Sequence, residues 1–209
     1  MKGCDTLDFT LPFDELNKLY FHGMDLSERE QNQRIEKSEE LHERIGSFLD
    51  MQEEAYQSDP VMFAFLSDMY LSQLELLYRD VFDSNDNWVN ERAKTFSNEI
   101  HGATQDYIEQ GKAENAFSEE RKTKISINES NMYWNYDRHR RMSSVYTYHT
   151  WLSERDDRVR STHITADGQR IPVNEPFRVG GYRMMYPTDR SLGAGPEEIV
   201  NCRCVEIFS

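Results

Sequence analysis

The sequence predicts an α+β fold: a mainly helical N-terminal body carrying a small C-terminal α+β unit, built as a β-hairpin plus a final C-x-C strand. Three observations lead there. Apolar residues recur at helical spacing through the first two thirds of the 209 residues. After Tyr146 the character changes, with glycines, prolines and an Asp-Gly pair between short β-prone runs. Charge divides the same way. Residues 1–130 hold 28 Asp and Glu against 13 Lys and Arg, a balance of −15, whereas residues 131–209 hold 10 against 11, every basic one arginine. The expected domains are a helical body over 1–125 and a C-terminal module over 126–209.

Pro12 suits a first helical turn, and Phe13, Leu16, Leu19 and Tyr20 then form one face that ends near Gly23. The polar stretch Ser27–Ser38 reads as helix or linker. Leu41, Ile45, Phe48 and Ala55 give a second helical stripe. Asp59-Pro60 is a helix start, an N-cap followed by proline at the first position. The run Val61–Phe82 behind it is apolar nearly all round and reads as the central buried helix. Asn87 caps a helix striped by Val89, Ala93, Phe96, Ile100 and Tyr107, with Gly111 as its stop. Ser118–Lys124 reads as a charged connection, and a helix over 128–145 follows with Met132, Tyr136 and Val145 on one side. Arg138, Arg140 and Arg141 complement its C-terminal dipole.

In the module, Thr162–Ile164 and Gln169–Val173 flank Asp167-Gly168, a two-residue hairpin signal that places a hairpin around 162–173. A loop rich in glycine and proline leads to a final strand over 200–208.

Composition narrows the classes. At 37% hydrophobic and 30% charged, the chain reads as a slim helical protein, and 12% aromatics argues against disorder. An acidic protein does not attract phosphate backbones over long range. No signal peptide opens the chain, and Asp68, Gln73, Glu75 and Arg79 interrupt the longest apolar run, so no membrane association is expected. Cys4, Cys202 and Cys204 are an odd number and describe no disulfide framework, as expected of a protein kept reduced.

Candidate chemistry concentrates near the C-terminus. Strand alternation puts Cys202 and Cys204 on one face and Arg203 on the other. Zinc would need two further ligands, with His163 the best candidate and His149 or an aspartate behind it; no second Cys or His pair stands at short spacing, so buried thiols are the expectation and no cofactor is called for. Arg158 and Arg160 in DDRVRSTH suit carboxylates or phosphates, either as an internal network with Asp156, Asp157 or Asp167 or as a contact to DNA or a partner. His163 lacks a nucleophile or acid at diagnostic spacing. There is no phosphate-binding glycine motif, no G-x-S-x-G and no H-E-x-x-H.

Taken in order, NESNMYWNYDRHRR, Trp151, Asp156 with Arg158, Arg160 and His163, Asp167-Gly168, Phe177, and Asn201-Cys202-Arg203-Cys204 resemble the head morphogenesis (minor head) proteins of tailed phages, of the phage Mu protein F type. The likeness spans about 128–205, and PFDELNKLYFHGMDLS is similar more loosely to that family's opening helix. Some relatives carry an extra Cys-x-x-Cys and a His-Pro before NCRC that together could hold a metal; this chain has Glu198-Ile199-Val200 there instead. The resemblance implies a structural, non-enzymatic protein of the virion, at the capsid interior or portal vertex. The same resemblance implies that it is made in the bacterial cytoplasm and assists genome packaging or delivery. Implied partners are the portal protein, the major capsid or scaffolding protein, and packaged DNA. Two alternatives stand beside it: a small nuclease-like enzyme centred on His163 with Arg158 and Arg160, and a carrier module for a toxin. Only five residues follow Cys204, an expectation against the carrier.

Overall fold

The computed structural model describes residues 9–82 and 86–209; Cys4 lies outside the described residues. Its elements are helices α1 (Phe13–His22), α2 (Glu28–Ser58), α3 (Pro60–Phe65), α4 (Ser67–Phe82), α5 (Asn87–Glu109), α6 (Ala113–Ala116) and α7 (Glu119–Met142), then strand β1 (Tyr148–Leu152), helix α8 (Ser161–Ala166), strands β2 (Arg170–Pro172), β3 (Phe177–Val179) and β4 (Tyr182–Met184), helix α9 (Pro196–Ile199) and strand β5 (Val205–Phe208). The expected class holds: a mainly helical chain whose strands all lie near the C-terminus, among the described residues. The chain forms two compact units, Glu39–Ser126 and the pair of segments Met1–Ser38 with Ile127–Ser209. Helix α1 and the start of α2 thus share a unit with the segment from Ile127 onward.

The central unit is an aromatic-rich helical core. Leu41, Ile45 and Leu49 of α2, Tyr70, Leu74 and Tyr78 of α4, and Val89, Ala93 and Phe96 of α5 are buried. Tyr78 meets Phe82 and Phe96 at ring separations of 4.6 and 4.9 Å, and Phe63 meets Tyr70 at 5.2 Å. Asp59 caps α3 as expected, its carboxylate accepting from the N–H of Val61 and Met62 at 3.0 Å. The run behind it is not one buried helix. It breaks at Leu66, where the Ser67 hydroxyl donates to the Ala64 carbonyl at 2.7 Å and a single N–H serves two carbonyls. Val61 and Phe65 are left 80% and 82% exposed.

Two other stretches are settled here. Of the two readings of 27–38, helix holds: α2 begins at Glu28, behind a Ser-x-x-Glu pair in which the Ser27 hydroxyl donates to Glu30 at 2.7 Å. The connection 118–124 belongs to α7, with the Ser118 hydroxyl accepting from the N–H of Arg121 at 3.3 Å. Arg121 turns inward and donates to the Ile100 carbonyl at 2.7 Å, the Thr104 hydroxyl at 3.0 Å and the Ala116 carbonyl. Burial lowers its pKa to about 10.

In the other unit, Leu16, Tyr20, Phe21, Met24, Ile35, Ile127 and Val205 form one apolar cluster. The helix expected over 128–145 ends at Met142, and Val145 is exposed beyond it. Polar residues dominate the buried face of α7, among them Ser126, Ser130, Asn131 and Asn135. That is why an apolar stripe located its end poorly.

The sheet order is β2-β1-β5, all antiparallel, and β3-β4 form a separate hairpin. The hairpin expected around 162–173 is therefore replaced. Its first arm is helix α8, and Asp167-Gly168 leads from that helix into β2, with Gly168 at φ +77°. Three residues cannot reveal whether their period is 2 or 3.6. The final strand shortens to Val205–Phe208, and the preceding NCRC segment is a turn and extended loop whose Asn201 has φ +58°.

Candidate functional site

Within this unit, His163 on α8 faces the two thiols of the NCRC loop. Its Nδ1 lies 3.3 Å from Cys204 Sγ and 3.7 Å from Cys202 Sγ, and all three side chains are buried. Nε2 sits 2.9 Å from Glu198 Oε2, at ion-pair distance though not aligned as a hydrogen bond. The Thr162 hydroxyl holds the same carboxylate oxygen at 2.8 Å. Trp151, fully buried, closes the cluster edge-on to His163 with ring centroids 5.5 Å apart.

The thiols differ electrostatically. A hydrogen bond from Cys204 and the neighbouring His163 cation, acting against burial, hold the Cys202 thiol well below its ordinary range. Burial pushes the Cys204 thiol up, and the adjacent Cys202 adds to it. Burial opposes charge on His163, but Cys202 beside it raises its pKa on balance. The arrangement places two thiols and an imidazole nitrogen within reach of one another in a buried site.

The NCRC backbone is held from three helices. The Cys202 carbonyl accepts from the Tyr20 hydroxyl at 2.6 Å and from Asn131 Nδ2 at 2.7 Å. Asn131 Oδ1 in turn accepts from Arg34, whose burial lowers its pKa to about 9. Arg203 points away from the thiols, as alternation predicts, and donates to Asp156 Oδ1 at 2.7 Å. Asp156 also receives the Arg158 N–H at 3.1 Å, and these arginine contacts outweigh burial and lower its pKa. Arg160 donates to the Val200 carbonyl. Asp167 accepts from the Ser153 N–H at 2.8 Å and from Arg155 Nε at 2.9 Å. The Gly168 N–H donates to the Trp151 carbonyl at 2.9 Å.

The structure thus brings His163, Cys202, Cys204 and Trp151 together. Asp156, Arg158 and Arg203 form an adjoining network, while Asp167 and Gly168 anchor the end of β1. Sequence reasoning did not single out Glu198, Asn128, Asn131, Tyr20 or Arg34 as part of this assembly. Each acts across more than 30 residues of chain, a separation that leaves no local pattern.

A second buried cluster went unread. Glu206 Oε1 lies 2.7 Å from His149 Nδ1 and 3.0 Å from His139 Nδ1, and His149 Nε2 lies 3.0 Å from the Glu175 carbonyl. Glu206 Oε2 has no hydrogen-bonding partner among the described residues. Three residues from α7, β1 and β5 meet there, with no shared sequence motif.

Fold and site together define a class: a predominantly helical protein whose small α+β module is organised around a buried Cys–His cluster. The family model described as Phage Mu protein F like protein matches residues 92–207, more than half of the chain. The chain belongs to that family, which is one of phage head morphogenesis proteins and structural in character. No curated protein and no solved structure gave a match. Among the described residues, no helix is long and apolar enough to cross a membrane.

Proposed function

We propose that this chain is a minor head protein of a tailed phage or prophage that binds the portal protein during head assembly and remains in the virion at the portal vertex. The observation that carries the reading is the family match over residues 92–207. Two features support it. The acidic balance of −15 over residues 1–130 suits docking on a basic protein surface. Val61, Met62 and Phe65, exposed on α3, add an apolar contact. Major capsid or scaffolding protein would be met in the same assembly, and packaged DNA would lie near the arginines of residues 131–209. The two arginines give the enzyme reading no support, because the Arg158 guanidinium is paired with Asp156 and Arg160 donates to the Val200 carbonyl.

The test is co-purification of the full chain with the portal protein encoded beside it, over a salt series. Stable association that weakens with salt, and that Phe65→Ser weakens further, is the expected outcome. An association no stronger than that of an unrelated acidic protein would overturn the proposal.

A further inference from the structure

We propose that His163, Cys202 and Cys204 are three ligands of a zinc site, with the fourth position filled from the adjoining pocket. The inference stands on the cluster's own geometry and does not depend on the head-protein reading.

The distances come first. Zinc bonds of about 2.3 Å to sulfur and 2.0–2.1 Å to imidazole, at a tetrahedral angle, set sulfur and nitrogen roughly 3.5 Å apart. The two observed separations from His163 Nδ1, 3.3 and 3.7 Å, bracket that value. All three ligand atoms lie within 4.8 Å of one another. The second cluster fails the same measure. Two atoms bound to one ion at about 2.0–2.1 Å stand roughly 3.3 Å apart, whereas Glu206 Oε1 and His149 Nδ1 are separated by 2.7 Å, a distance for sharing a proton.

The chemistry of the ligands agrees. Two thiolates and an imidazole select zinc over harder cations. A ligating histidine is steered through its other ring nitrogen by a carboxylate, and Glu198 occupies that position, held by Thr162. Gly180 lets Glu198 reach it, since a Cβ there would stand 1.9 Å from Glu198 Oε1. A small pocket of about 10 Å³, room for a single water, lies beside the three ligands; Glu154, Arg158, Val159, Arg160 and Arg203 complete its wall, and the fourth ligand would be that water or the Glu154 carboxylate. Sequence spacing argued against zinc because it looked for four ligands in the chain. Three with an exchangeable fourth is also a stable arrangement. Binding releases the thiol protons and involves no oxidation or reduction.

The test uses the full chain, purified under reducing conditions and titrated with Zn(II) and, separately, Co(II). One equivalent should bind, raise the melting temperature and, for cobalt, give a thiolate-to-metal charge-transfer absorption with tetrahedral ligand-field bands. Zinc should displace that spectrum. Cys4→Ser should leave it unchanged. Cys202→Ser and Cys204→Ser should each reduce the charge-transfer intensity, and Glu198→Gln should weaken affinity about 10–100-fold. The wild-type spectrum needs no variant, so a serine variant that fails to fold leaves the test intact. A reduced chain that binds no metal would overturn the proposal. So would a cobalt spectrum without thiolate character, one lost in Cys4→Ser, or an intact mass two hydrogens light, which would identify a disulfide.

Discussion

Asn128 and Asn201 exchange hydrogen bonds across 73 residues of chain: the Asn201 N–H donates to Asn128 Oδ1 at 2.6 Å, and Asn128 Nδ2 donates to Asn201 Oδ1 at 3.2 Å. Asn201 adopts φ +58°, a left-handed conformation that asparagine tolerates better than most residues. The pair therefore sets both the position and the bend of the chain entering Cys202. Asn128→Ala removes both hydrogen bonds of the pair and should cost about 1–3 kcal/mol, read as a lowered urea midpoint at unchanged m-value. Asn201→Gly keeps the backbone geometry and the N–H and should cost less than Asn201→Val. An equal loss for both would contradict the conformational argument.

Arg121 makes the corresponding test for the central unit. Arg121→Met removes its hydrogen bonds to Ile100, Thr104 and Ala116 together with a buried charge. The Ile100 carbonyl keeps the Thr104 hydroxyl at 2.8 Å, so the loss falls mainly on the Ala116 carbonyl and should cost roughly 1–3 kcal/mol in chemical denaturation. A variant as stable as wild type would show that the Ala116 carbonyl finds another donor.

Gly180→Ala faces two obstacles, a φ of +57° and the Glu198 carboxylate in the space its Cβ needs. The backbone strain alone costs on the order of 1 kcal/mol or more. Glu198 should also leave His163, so the His163 ring resonances should shift by NMR even where the fold survives. An unshifted His163 would separate the two effects.

Glu154 carries a pH dependence with a definite sign. Burial raises its pKa from 4.5 to about 7, against the hydrogen bond from the Asp25 N–H. Its neutral form is favoured in the folded chain, so the contribution is complete below pH 4.5 and is lost as pH rises to about 7. The lowered pKa values of Asp156, Asp167 and Glu30 act oppositely, at the acid end. With chelator present, melting temperature measured between pH 4.5 and 7 should fall less steeply in Glu154→Gln than in wild type. Parallel curves would rule Glu154 out as the titrating group.

Much of the helical architecture was legible because its signals are local. Asp59-Pro60, the Val89–Ile100 stripe and Gly111 each announce themselves within a few residues, and the helices start and stop close to them. The errors arose where tertiary packing overrides local pattern. Val61–Phe82 is apolar enough for a single core helix, yet Ser67 breaks it and Phe65 faces outward. The arm 162–164 was too short to show its period.

The candidate site was legible in its members and not in its assembly. Sequence spacing offers His163 only as the best further ligand should the thiols hold zinc; in the structure its Nδ1 lies 3.3 Å from Cys204 Sγ and 3.7 Å from Cys202 Sγ, while Arg203 pairs with Asp156. Glu198 escaped because it lies in a turn of helix with nothing around it to mark a carboxylate as special. Its role depends on Gly180 giving it room, and that fact belongs to the folded chain.

The pairing of Tyr20 with the Cys202 carbonyl spans 182 residues. A ribosome therefore delivers residues 1–38 first and must then make the whole of Glu39–Ser126 before the complementary segment exists. At that point the inserted unit's own segments are all present, while the apolar cluster of the first helix still lacks Ile127 and Val205. Closing the outer unit is the step with the greatest sequence separation, and so the slowest expected of this chain. A chaperone-binding or aggregation liability during synthesis would fall on Leu16, Tyr20 and Phe21, residues fully covered once the protein is complete.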